Sequence, residues 1–177
     1  MRKAGLISLV LFFTAVLSFA QDEPKHAPST KEERQRFLTL TRKLEQNPLD
    51  KSLYAEKTWA KKWLEDIPDI NVNICAPILF GMDFVTEQNK YTPQLSYQAT
   101  FASAAYIIEH PEKAGDTDAQ FVAGVESALK SYSAIVKSDP DAKSKSLDAL
   151  LEKQKQGKLA DFVRSASKGC EDKKEGT

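Results

Sequence analysis

Cys75 and Cys170 are the only thiols in this 177-residue chain, and His26 and His110 are its only imidazoles. Residues of these types support a cysteine activated by a histidine base, a metal centre, or a disulfide. A nucleophilic thiol needs a base within hydrogen-bond reach. His26 stands in "QDEPKHAPSTK", a polar stretch containing prolines, and His110 precedes Pro111 at an expected helix end. Neither context brings a base to a thiol. With one histidine in that leader, a multi-histidine metal site is not available either.

Other catalytic patterns are missing. The seven glycines are too scattered to form a phosphate cradle, and no His-Glu-x-x-His, Cys-x-x-Cys or Gly-x-Ser-x-Gly run occurs. The carboxylate pairs Glu65 with Asp66 and Asp116 with Asp118 fall where helix ends and loops are expected, so they read as caps and solvated loops. We therefore expect a non-catalytic protein, with no catalytic residue, no metal ligand and no cofactor assigned.

The first residues decide how the thiols are read. "MRKAGLISLVLFFTAVLSFAQ" opens with Arg2 and Lys3, runs apolar from Leu6 to Leu17, and ends with Ser18 and Ala20 before Gln21. A charged start, a short apolar core and small residues at the cut are the marks of a secretory signal peptide. The apolar run is shorter than the roughly 20 residues that span a bilayer. The expected organisation is a signal peptide over 1–20, a flexible leader over 21–30, one helical domain over 31–170 and a charged tail over 171–177. The product is expected to be exported, periplasmic or secreted, with no integral membrane segment after cleavage. In an oxidising compartment Cys75 and Cys170 are expected to pair as a structural disulfide. Closing so long a loop stabilises a fold by about 4 to 5 kcal/mol in the chain-entropy account.

Charge narrows the partners. Cleavage removes two of the 25 basic residues and none of the 25 acidic ones, leaving a nearly neutral chain. A nucleic-acid binder shows a basic footprint, so nucleic acid is not expected. About 140 residues between the tails suffice for one domain with a substantial core.

The elements that would position any site are helices. "SLYAEKTWAKKWLEDIP" places Leu53, Tyr54, Trp59, Ala60, Trp63, Leu64 and Ile67 on one stripe, and "AQFVAGVESALKSYSAIVKS" repeats the pattern from Phe121 to Val136. Ser29 or Thr30 with Glu32 or Glu33, Thr92 with Pro93, and Asp116 or Asp118 read as starts. Pro48, Pro68, Pro111 and Pro140 each follow a periodic segment and mark its stop, because proline disfavours helix in the residue before it. Leu147, Leu150 and Leu151 mark a helix closed by Gly157; Leu159, Phe162, Val163 and Ala166 mark a last one closed by Gly169. "DINVNICAPILFGMDFV" alternates at Ile70, Val72 and Ile74, then turns apolar, predicting an extended approach to a buried short helix with Pro77 in its first turn. A short strand over the alternating residues is the other reading. The fold class is thus all-α, about six to seven helices packed as hairpins and tied by one disulfide.

"ALKSYSAIVKSDP", residues 128–140, carries Ala128, Tyr132, Ile135 and Pro140 at the spacing of the second helix of a tetratricopeptide repeat, which it resembles. That likeness implies helical hairpins. "ATFASAAYIIEHP" aligns with it at Ala99, Tyr106 and Pro111 but has Ser103 for the aromatic. The prolines do not recur at the period of 34 residues typical of that family, and its first-helix signature is absent, so a repeat array is not implied.

Aromatic residues give the functional hint. Trp59 and Trp63 stand one turn apart with Tyr54 near, and Tyr91, Tyr97, Phe101 and Tyr106 gather further on. Aromatic stripes at helical spacing belong to cores, whereas exposed ones mark interfaces. Trp63, flanked by Ala60, Leu64 and Ile67, is assigned to the core; Tyr54 and Trp59 are assigned to a partner groove. The expected function is binding of a protein or peptide. The alternatives are a binder of a lipid or other apolar small molecule in a cavity behind Ile78, Leu79, Phe80 and Phe84, and an enzyme with polar groups converging in a cleft.

Overall fold

The computed structural model describes residues 27–75, 78 and 90–171. The expected helix containing Pro77, like Leu79, Phe80 and Phe84 of the expected cavity, lies outside the described residues, as do His26 and the leader and tail beyond these bounds. Among the described residues there are six α-helices: α1 Lys31–Gln46, α2 Tyr54–Asp66, α3 Thr92–Glu109, α4 Thr117–Ser138, α5 Lys145–Lys155 and α6 Leu159–Glu171. There is no strand among the described residues, so the alternation at Ile70, Val72 and Ile74 does not form one. The protein is all-α, with Cys75 joined to Cys170 across a sequence separation of 95.

Local chemistry explains most helix limits. Thr30 caps α1 by accepting from the Glu33 N–H at 3.2 Å while the Glu33 carboxylate accepts from the Thr30 N–H at 2.8 Å. These two bonds form the reciprocal capping box that the sequence announces. Asp116 Oδ1 accepts from the Ala119 N–H at the start of α4. At α3 the helix already includes Thr92, so Tyr91 occupies the cap position without a side-chain bond, and Pro93 lies in the first turn as expected. Helices α1, α2, α3 and α4 each end two residues before a proline, Pro48, Pro68, Pro111 and Pro140. Gly157 adopts φ 71° just past α5, a conformation that glycine takes at little cost.

Gly169 departs from expectation. It does not close the last helix; α6 continues through Gly169 and Cys170 to Glu171. Glycine inside a helix costs about 1 kcal/mol relative to alanine, and the crosslink at Cys170 fixes this final turn against fraying.

The α3–α4 hairpin is the centre of the fold, with the most extensive pairing of any two elements. Its closeness comes from small residues. A Cβ on Gly124 would lie 2.7 Å from Ser103 Oγ and 2.8 Å from the Ala99 carbonyl oxygen. The Ser103 hydroxyl donates to the Gln120 carbonyl across the same contact. Helix α1 packs on both α3 and α4, α6 packs on α4, and α5 joins α4 and α6. Gln98 ties three helices, its Nε2 donating to the Thr41 carbonyl at 3.1 Å and to Ser127 Oγ at 2.7 Å. Ala128, Tyr132 and Ile135, the residues of the tetratricopeptide-like segment, are all buried. The Tyr132 hydroxyl accepts from the Ser144 N–H at 2.8 Å and donates to Asp148 at 2.9 Å, which turns the chain from α4 into α5.

Candidate functional site

Trp63 is 3% exposed and belongs to a cluster with Phe37, Leu40, Ala60, Ile67 and Phe101. Its ring centroid lies 4.9 Å from that of Phe37 and 5.6 Å from that of Trp59. The assignment of Trp63 to the core holds, and its buried Nε1–H has no hydrogen-bond partner.

Tyr54 and Trp59, assigned together, are placed apart. Trp59 is half-buried, stacked on Trp63 and roofed by the Arg36 guanidinium 3.8 Å above its ring. Arg36 is itself held by two hydrogen bonds to Glu56, at 2.9 and 2.8 Å. Tyr54 is 72% exposed and stands on the rim of a groove between α2 and α3 that Trp59 does not line.

Two helix faces make this groove. From α2 come Tyr54, Lys57, Thr58 and Lys61; from α3 come Gln94, Tyr97, Gln98 and Phe101, with Pro93 beside them. Each set follows the i, i+3, i+4, i+7 spacing of a single stripe. Leu44 of α1 and the buried Pro48 complete the floor. The deep part has a volume of about 240 Å³. At the Tyr54 end it opens into a shallower channel of about 560 Å³ reaching Leu49, Lys51 and Tyr91.

The polar groups are few and placed on the walls. Lys61 Nζ donates to the Tyr97 hydroxyl at 2.6 Å and lies 4.2 Å from the centre of its ring, so the two walls touch at the end away from the channel. That hydrogen bond raises the Lys61 pKa above its ordinary value, with burial opposing it, and the amine stays charged. Lys57 lies within electrostatic reach of Asp50, and its charge helps lower the pKa of that carboxyl. Gln94 makes no side-chain hydrogen bond, and its Oε1 is buried without a donor. Gln98, by contrast, is fully engaged in the interior. Asp50, at the channel end, has its carboxylate occupied by the Ser52 N–H at 2.8 Å.

An apolar floor with an aromatic rim, two amines and an unpaired amide is equipped to hold an anionic, partly apolar ligand. Among the described residues no group of three His, Cys, Asp or Glu side chains is placed to hold a metal ion, and no helix is long and apolar enough to cross a membrane. His110 caps the end of α3 and lies against Tyr106 with the rings tilted at 44° and their centroids 4.7 Å apart. Ile78 is buried against the cluster that contains Cys75. No protein-family model, curated protein or solved structure matches this chain.

Sequence reasoning missed Lys57, Lys61, Gln94 and Tyr97 as groove residues. The pattern was present, since Tyr54, Lys57, Thr58 and Lys61 share a stripe of α2 distinct from that of Ala60, Trp63 and Ile67. Nothing local announced that this second stripe faces α3.

Proposed function

We propose that this chain is an exported binding module that takes a short segment of a partner protein or peptide in the α2–α3 groove. One observation carries the reading. Helix α2 uses one stripe, Ala60, Trp63 and Ile67, for the core, and turns a second stripe with an exposed tyrosine and two lysines toward a matching stripe of α3. Export is supported by the signal-like first residues and by the joined cysteines, since disulfides persist in oxidising compartments.

The deep part, about 240 Å³, is of a size for one side chain, and the channel of about 560 Å³ that continues it has room for the chain that precedes. The test is selection from a displayed peptide library against the exported protein, followed by affinity measurement with Tyr97→Ala. Tyr97 is 44% exposed, so this change strips the groove wall without opening the core. Selected peptides should lose about tenfold or more in affinity while the melting temperature holds, as at a central contact residue. Binders that ignore the substitution would remove the groove from the reading.

A further inference from the structure

Resting on that reading, we infer that the groove captures the carboxyl terminus of its partner: the terminal apolar or aromatic side chain on the floor, the free carboxylate at Lys57 and Lys61, and the last peptide unit at Gln94.

Charge is the first argument. Lys57 and Lys61 stand four residues apart on one face of α2, where Cβ atoms are roughly 5 to 6 Å apart. Two flexible ammonium groups at that spacing can converge on a single carboxylate. Their neighbour on the same helix, Lys62, pairs with Asp66 at 2.9 Å, as Lys90 pairs with Asp139 at 2.6 Å. Among the described residues neither groove lysine is held in an ion pair: Lys61 donates to a neutral phenol with Glu65 in electrostatic reach, and Lys57 acts on Asp50 through space alone. The lining of the deep part includes no acidic residue. A charge-assisted hydrogen bond to a carboxylate is shorter and about twice as strong as a neutral one.

Shape supplies the direction. At one end Lys61 and Tyr97 join the walls; at the other the groove runs on between Pro48, Tyr54 and Tyr91. A chain terminus fits such a blind-ended channel, with its preceding residues lying in the open part. The Gln94 amide lines both parts and has no partner in the free protein. A buried amide oxygen without a donor is costly, and a peptide N–H relieves that cost once the terminal torsion turns toward it. Leu44, Pro48 and Phe101 then receive the last side chain.

The experiment uses the exported chain and dye-labelled pentapeptides ending in phenylalanine, leucine, tyrosine or valine, each as free acid and as carboxamide, read by fluorescence anisotropy. The best free acid should bind about tenfold or more tighter than its amide, a difference of about 1.4 kcal/mol. That advantage should shrink with added salt and vanish in Lys57→Met with Lys61→Met, which keeps the side-chain stems and the melting temperature. Equal binding of acid and amide would overturn the carboxylate capture and leave the groove reading standing. Competition by 3-phenylpropionate as strong as that of the best peptide would overturn the peptide terminus in favour of a small aromatic acid. If no peptide binds in either form, both this inference and the groove reading fall.

Discussion

Around α4, α5 and α6 the buried side chains are mostly aliphatic, with Val125, Leu129, Ile135, Leu147, Leu150 and Val163 packed about Tyr132. Around α1 and α2 an aromatic stack stands among the aliphatic residues, with Trp63 between Phe37 and Trp59, and Phe101 5.2 Å from Phe37. Helix α3 serves both, giving Leu95 to the first cluster and Phe101, Ala104, Ala105 and Ile107 to the second. Each half also carries a strap between distant segments. The aliphatic half has the Cys75–Cys170 disulfide. The aromatic half has a polar strap: Asp69 accepts from the Ser29 N–H at 2.9 Å, the Ser29 hydroxyl at 2.7 Å and Arg34 Nη2 at 2.7 Å. Ser29 thus belongs to the folded part, although the sequence places it in the leader. One strap breaks with reductant and the other with acid, and the groove opens beside the half that has no covalent tie. Helix α2 packs into that half by the stripe of Ala60 and Trp63, and its second stripe lines the groove.

The largest expected effect tests the aromatic half. Trp63→Ala should destabilise the protein by roughly 3 to 5 kcal/mol, the range for deleting a buried large aromatic. Trp63→Phe should cost far less, because it keeps most of the contact and removes an N–H that has no partner. Denaturant melts of the two variants check this, and a Trp63→Ala protein as stable as the parent would contradict the buried stripe of α2.

Next comes the covalent strap. Replacing both Cys75 and Cys170 by serine should cost about 2 to 4 kcal/mol, below the loop-entropy figure because native strain and residual denatured structure reduce it. Both tryptophans of the chain lie in the aromatic half. Near-ultraviolet circular dichroism in their band should therefore be unchanged below the transition, while limited proteolysis finds α6 first. A changed tryptophan signal in the folded variant would show that the halves are coupled more tightly than their separate clusters imply.

Particular residues show why the fold was legible and the groove was not. Thr30, Asp116 and the four prolines act on neighbours within a few residues, so their effects can be read along the chain. Trp63 was legible because its stripe also contains Ala60 and Ile67. Trp59 is roofed by Arg36 of another helix, which its own stripe does not announce. Ile74 keeps the alternation of Ile70 and Val72 yet is 64% exposed. Period two has meaning only in a regular strand, and no strand forms there. Lys61 meets Tyr97 across 36 residues of chain, and no local pattern encodes that opposition.

The smallest effect concerns the polar strap and pH. Burial pushes the Asp69 carboxyl upward, but the Ser29 N–H and hydroxyl and the Arg34 guanidinium outweigh it and hold the pKa at about 2, against 3.8 for an ordinary aspartate. A depressed folded-state pKa means that the unfolded chain takes up the proton first on acidification. The strap's contribution is therefore complete above the ordinary value and is lost as pH falls toward 2. Asp69 and Arg34 are partly exposed, with side chains 23% and 36% accessible. Solvent screening then keeps the contribution to about 1 kcal/mol. Between about pH 5 and about pH 2.5 the parent should lose that much more stability than Asp69→Asn, roughly 2 to 4 °C in melting temperature for a domain of this size. The same comparison with the serine double variant should give the full acid effect, since the disulfide ties the other half. Equal acid sensitivity of parent and Asp69→Asn would show that the strap contributes nothing and that the aromatic stack alone closes its half.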